Sequence, residues 1–166
     1  MPNLTTLDVQ DWVFEDLVIT DALAVTLTRL TIGMHDSEIR PQQFVQMRAM
    51  RSLEYASMTY EETMEGDEAM LYDALCSRDE PMWPHLRTFQ IMSLRYRGEG
   101  GNDDERDGLL RLLQARNQRE EDPDATPDDT AVVTIPIESL TFDSESVPPW
   151  IAVQLKSILG EKCYEI

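Results

Sequence analysis

The run from Trp12 to Ile32 restricts the fold most, because its Val, Ile, Leu and Thr content suits a pleated strand and argues against a purely helical chain. Within it, "LAVTLTRLTI" sets Leu23, Val25 and Leu27 against Ala24, Thr26 and Thr28, the two-residue alternation of a half-buried strand. "WVFEDLVIT" precedes it through Asp21 and Ala22. Together they predict an N-terminal β-hairpin, although Asp-Ala is a weak turn dipeptide beside Asn-Gly.

Helical signals follow. "HDSEIRPQQFVQMRAMRSLEYASM" opens with polar residues and a proline suited to a first helical turn, then uses Gln, Met, Arg and Ala, which predicts a helix from about Pro41 to Met58. Val45, Met47, Ala49, Leu53 and Tyr55 also alternate, so strand stays open as a second reading of this segment. In "TYEETMEGDEAMLYDALCSRDE", Tyr60, Met64, Leu71 and Leu75 share one helical face. Gly66 and Asp67 divide that stretch into two short helices, since glycine weakens a helix interior and aspartate is a good N-cap. "RTFQIMSLRYR", from Arg87 to Arg97, leans towards a strand with helix left open, and ends at "GEGGND". That glycine-rich loop lacks the lysine and the following Ser or Thr of a phosphate-binding loop. "DDERDGLLRLLQARNQR" places acids first and arginines last, with Leu109, Leu112 and Leu113 as an apolar stripe, and predicts a helix.

Residues 120–130, "EEDPDATPDDT", contain two prolines and no large apolar residue and read as an exposed linker. It separates a main domain, 1–119, from a strand-helix segment, 131–166, packed on the same domain. In that segment "AVVTIPIESLTF" predicts a strand whose Pro136 suits a sheet edge. "PPWIAVQLKSILG" predicts a helix with Ile151, Leu155, Ile158 and Leu159 on one face, ending at Gly160. The fold expected is therefore α+β: one domain with an N-terminal β-hairpin, central helices, and a C-terminal strand and helix.

Charge constrains function more than any motif does. The chain of 166 residues has 32 acidic and 14 basic residues, a formal net charge of -18. Such a chain repels nucleic acid and anionic membranes and attracts basic surfaces, at rates that fall with salt. Cys76 and Cys163 are far apart and lack the spacing of a zinc ribbon or redox pair, which fits free thiols in a reducing compartment. The N-terminus lacks the basic start of a signal peptide, and no stretch reaches about 18 apolar residues. A cytoplasmic protein is expected, within a host cell if the chain is phage-encoded.

Signals for catalysis or metal binding are absent or weak. His35 and His85 are the only histidines, no serine lies in a nucleophile-elbow motif, and neither cysteine has a histidine nearby in sequence. "DPDATPDD" lacks the sixth-position glycine of a calcium loop, and Val133 stands where that loop requires glutamate. No cofactor, no metal and no enzymatic activity are expected.

Eight carboxylates and one arginine lie between Thr59 and Glu80. On a continuous helix Glu61, Glu65 and Glu68 would fall within about 60° of one another and about 4.5 to 6 Å apart along the axis, compatible with the phosphate spacing of a nucleic acid. Glu61, Glu62, Glu65, Glu68, Asp73, Asp79 and Glu80 are therefore the candidate partner-binding residues. Trp83, between prolines in "EPMWPH", joins them as the tryptophan expected to be displayed. The functional expectation is a non-enzymatic acidic protein that occupies a basic, nucleic-acid-binding surface on another protein, by analogy with the acidic inhibitors phages use against restriction or CRISPR systems. The alternative is a phage structural or assembly protein making oligomer contacts through apolar helix faces.

Overall fold

In a computed structural model the chain forms a six-stranded, all-parallel sheet alternating with helices, an α/β arrangement. Residues 4–10, 19–34, 41–60, 67–77, 79–92, 107–118, 132–144 and 147–166 are described. In chain order the elements are β1 (Thr6–Gln10), α1 (Asp21–Ala24), β2 (Arg29–Met34), α2 (Pro41–Ala49), β3 (Tyr55–Tyr60), α3 (Asp67–Cys76), β4 (Thr88–Met92), α4 (Gly108–Asn117), β5 (Ser139–Phe142), α5 (Pro149–Leu159) and β6 (Cys163–Glu165). A single 3-10 turn, Gly160–Lys162, separates α5 from β6. Gly160 ends α5 at φ 60°, a left-handed conformation that glycine adopts without steric cost.

This overturns the expected α+β fold with its hairpin. Thr20 accepts the Leu23 amide and starts a short helix, so Asp21–Ala24 belongs to a crossover. The apparent alternation there fails because Ala24 and Leu27 are both buried while Val25 is exposed. The strand begins only at Arg29 and pairs in parallel with β1, which "LTTLDVQ" signals weakly. The helix expected from Pro41 to Met58 stops at Ala49, and Tyr55–Tyr60 becomes β3. Pro136 lies outside β5, and β5 is internal, between β4 and β6. The segment after residue 131 adds its strands to the same sheet, and the expected linker lies outside the described residues.

Strand order follows chain order, 1-2-3-4-5-6, without reversal. A doubly wound sheet reverses its order and carries helices on both faces; here one strand face alone is buried. One core row runs Leu7, Leu30, Ala56, Phe89, Leu140 and Cys163 across the strands, and the next runs Val9, Ile32, Met58, Ile91 and Phe142. Three residues before the first row stand Leu27, Leu53, Leu86 and Ile137, each at most 1% exposed. The result is a recurring apolar-x-x-apolar-x-apolar unit, the spacing of leucine-rich repeats. Partnered residues Thr6, Arg29, Tyr55, Thr88 and Ser139 are offset by 23, 26, 33 and 51 positions, and Leu140 and Cys163 by 23.

The backbone repeats as well. The carbonyl of Thr5 accepts the amides of Thr28 and Arg29, that of Thr28 accepts Glu54 and Tyr55, that of Glu54 accepts Arg87 and Thr88, and that of Arg87 accepts Glu138 and Ser139, all at 2.7 to 3.0 Å. Strands β2 to β5 thus start on the same two-pronged joint.

Helix faces follow their sequences. In α4, Leu109, Leu110, Leu112, Leu113 and Arg116 are buried; in α5, Ile151, Ala152 and Leu155; in α3, Leu71, Tyr72, Ala74 and Leu75. Gly108 is needed where α4 meets α3, since a Cβ there would lie 2.2 Å from Tyr72 Cδ2. Among the described residues no helix is long and apolar enough to cross a membrane.

Arg116 is 3% exposed and donates to four backbone carbonyls: Leu75 from Nε and Nη2, Met82 from Nη2, Trp83 from both Nη atoms, and Pro84 from Nη1, at 3.0 to 3.4 Å. Leu75 lies in the last turn of α3, where the helix dipole favours a cation. Replacing Arg116 by Leu strands these carbonyls, at a cost of about 3 kcal/mol or more. Arg116→Lys keeps the charge but loses the planar fork and should fall between the two. Urea unfolding of the three proteins checks the order: wild type, lysine variant, leucine variant.

Candidate functional site

With one sheet face buried under the helices, the other is left uncovered among the described residues. Its side chains form a row of five, Thr6, Arg29, Tyr55, Thr88 and Ser139, then a row across all six strands, Asp8, Thr31, Ser57, Gln90, Thr141 and Tyr164. A shorter third row holds Gly33, Thr59 and Met92. These residues are exposed or half-buried except Ser57, which is buried. Asp8 and Arg29 are the only charged residues in these rows. In a chain of net charge -18, the face is close to neutral.

At its centre three side chains from three strands meet. The Arg29 guanidinium carbon lies 3.9 Å from the centre of the Tyr55 ring, its direct partner on β3. The Tyr55 hydroxyl donates to Gln90 Oε1 at 3.0 Å, diagonally on β4. The ring is thus held at its hydroxyl and covered by the guanidinium, which favours the stacked arrangement. Strand registration alone joins these residues, and the sequence reading passed over all three.

The acidic residues singled out in the sequence lie elsewhere. Glu61, Glu62 and Glu65 fall outside the described residues. Glu68 lies in the first turn of α3, and the break before Asp67 coincides with the start of that helix. Asp73 is exposed on the same helix and pairs with Arg111 at 3.3 Å, while Arg111 also pairs with Asp107 at 2.8 Å. Glu80 pairs with Arg51 at 3.1 Å and Arg48 at 3.6 Å. Asp79 is exposed beside it. Surface pairs of this kind contribute little stability, but they divert carboxylates towards the chain's own arginines.

Trp83 is not displayed. It is 0% exposed, and its indole nitrogen donates to the Met47 carbonyl at 2.8 Å. Its φ of 50° is unusual for a non-glycine residue, and its carbonyl is held by Arg116. The flanking prolines, read as signs of display, instead accompany a tight inward fold.

Among the described residues no group of three or more His, Cys, Asp or Glu could hold a metal ion. His85 is exposed, and His35 lies outside the described residues. Comparison with protein-family models, with curated proteins and with solved structures gives no match.

Both cysteines are free thiols. Burial pushes the Cys76 thiol upward against the opposing pull of Arg111 and Arg116, and burial likewise raises Cys163. A thiol with a raised folded-state pKa stays protonated as the unfolded chain begins to ionise. This contribution to stability is therefore present at neutral pH and declines as pH rises through the ordinary cysteine range and beyond. Alkylation of both cysteines at pH near 8 should be much slower in the native protein than in the denatured chain. Equal rates would show that the thiols are not shielded.

Proposed function

We propose that the chain is a non-enzymatic interaction protein that docks a basic partner protein against its uncovered sheet face, with its net charge steering the encounter. The observation carrying this reading is the face itself: several strands wide, free of helices among the described residues and nearly neutral, with an arginine-tyrosine stack at its centre. Tyrosine and arginine are enriched at binding hot spots, and stacked repeats commonly use the sheet side as their binding surface. The excess acid on the rest of the chain, at -18, supplies long-range attraction to a cationic partner. Use of the carboxylates as a nucleic-acid mimic, as in counter-defence inhibitors, is a narrower form of this proposal. Asp73 and Glu80 already pair with the chain's own arginines, so its support is the net charge.

The test is affinity capture from a bacterial lysate with the wild type, two sheet-face variants (Gln90→Lys and Thr141→Lys) and a helix-side variant, Gln114→Lys. Partners should be retained by the wild type and by the helix-side variant, lost with the face variants, and lost as salt rises from roughly 50 to 500 mM. Displacement of the captured partner by duplex DNA would support the mimic. Capture indifferent to both face variants would overturn the docking face.

A second reading, assembly through apolar helix faces, rests on Trp150 and Val153. They are 52% and 68% exposed, one turn apart on α5. It predicts an oligomer in light scattering that dissociates on Trp150→Glu; a monomeric wild type would remove it.

A further inference from the structure

Arg29 is exposed, and its only charged companion in the rows of the sheet face is Asp8, on the neighbouring strand two residues beyond Arg29's partner Thr6. Its ion-pairing edge is engaged by no carboxylate among the described residues; the contact it makes is the Tyr55 ring at 3.9 Å. Stacking occupies one flat side of a guanidinium. The in-plane N–H groups stay available, and they match the two oxygens of a carboxylate. The ring below is held by the Tyr55–Gln90 hydrogen bond and offers the guanidinium a fixed surface to stack on. Thr6 and Thr31 flank Arg29, one directly opposite it on β1 and one two residues along β2, and supply hydroxyl groups.

We propose that Arg29, stacked on Tyr55, reads a single aspartate or glutamate side chain in a peptide segment of the protein partner. The inference rests on the docking-face reading and specifies the chemistry at its centre. One cation with Asp8 nearby suits a monovalent carboxylate better than a polyanion, and the chain's net charge of -18 opposes a nucleic acid. A partner that is basic overall with an isolated acidic residue satisfies both the long-range field and this contact.

The test is selection of a random linear peptide library, displayed on yeast, against the full chain, its Arg29→Gln and Arg29→Lys variants, and Thr141→Lys. The expected result is enrichment of peptides carrying Asp or Glu at one fixed position. Changing that residue to Asn or Gln should weaken binding to the wild type at least tenfold and leave binding to Arg29→Gln unchanged, while Arg29→Lys retains part of the affinity. Tyr55→Phe, which keeps the ring beneath the guanidinium but removes its hydrogen bond to Gln90, should weaken binding by a few-fold, less than Arg29→Gln does. Peptides that lose binding on Thr141→Lys yet ignore Arg29 would overturn the carboxylate contact and leave the docking face standing. Peptides indifferent to both positions would remove the face as well. No enrichment, or Arg29-dependent binding of a single-stranded oligonucleotide probe with no acidic preference among peptides, would also overturn the proposal.

Discussion

The backbone joint repeated at Thr5, Thr28, Glu54 and Arg87 sets the register of the sheet, and the register decides what every strand side chain faces. A strand alternates sides at each residue, so a slip of one position would move Leu30, Ala56, Phe89 and Leu140 into solvent and bring Arg29, Tyr55, Thr88 and Ser139 under the helices. Burial of those apolar rows and exposure of the polar ones therefore enforce the pattern that the joints establish. The same register creates the Arg29–Tyr55–Gln90 grouping, so the candidate site follows from how successive units stack.

The units are unequal, and the longer ones need additional fastening. Between Tyr55 and Thr88 the chain must fit a helix and the inward loop carrying Met82 and Trp83. Arg116, from the following helix, reaches across to that loop's carbonyls and to the end of α3, so one buried side chain joins two successive units. Asn117 performs a similar task one residue later: its side-chain amide donates to the Ile137 carbonyl at 2.7 Å and accepts the Ile137 amide at 3.1 Å. It stands in for a neighbouring peptide group and aims the chain into β5.

Much of the local structure was legible. The leucine stripe of α4, the start of α3 near Asp67 and the close of α5 at Gly160 are signals within one or two helical turns, whereas the Thr20 cap of α1 was missed. The parallel sheet was not legible, because the recurring apolar unit is spaced irregularly and its members vary among Leu, Ile, Ala, Phe and Met. β3 was absorbed into the preceding helix, since Met47 and Met50 of the helix and Met58 of the strand look alike in sequence while Ala56 and Ser57 carry little strand preference. The site was invisible for a stricter reason. Arg29, Tyr55 and Gln90 are ordinary residues in separate strands, and nothing near any one of them indicates the others.

Because each unit touches mainly its neighbours, cooperativity must pass along the stack one joint at a time. The offset of 51 residues between Thr88 and Ser139 makes the β4–β5 joint the longest closure. Compared with a 23-residue offset it costs about 0.7 kcal/mol more chain entropy, a small penalty that the Asn117 clamp and the Arg87 joint readily offset. Entropy is thus a weak obstacle there. The last two strands and α5 form a local unit of their own, joined to β4 across this long closure, which makes the joint the seam where partial opening should begin.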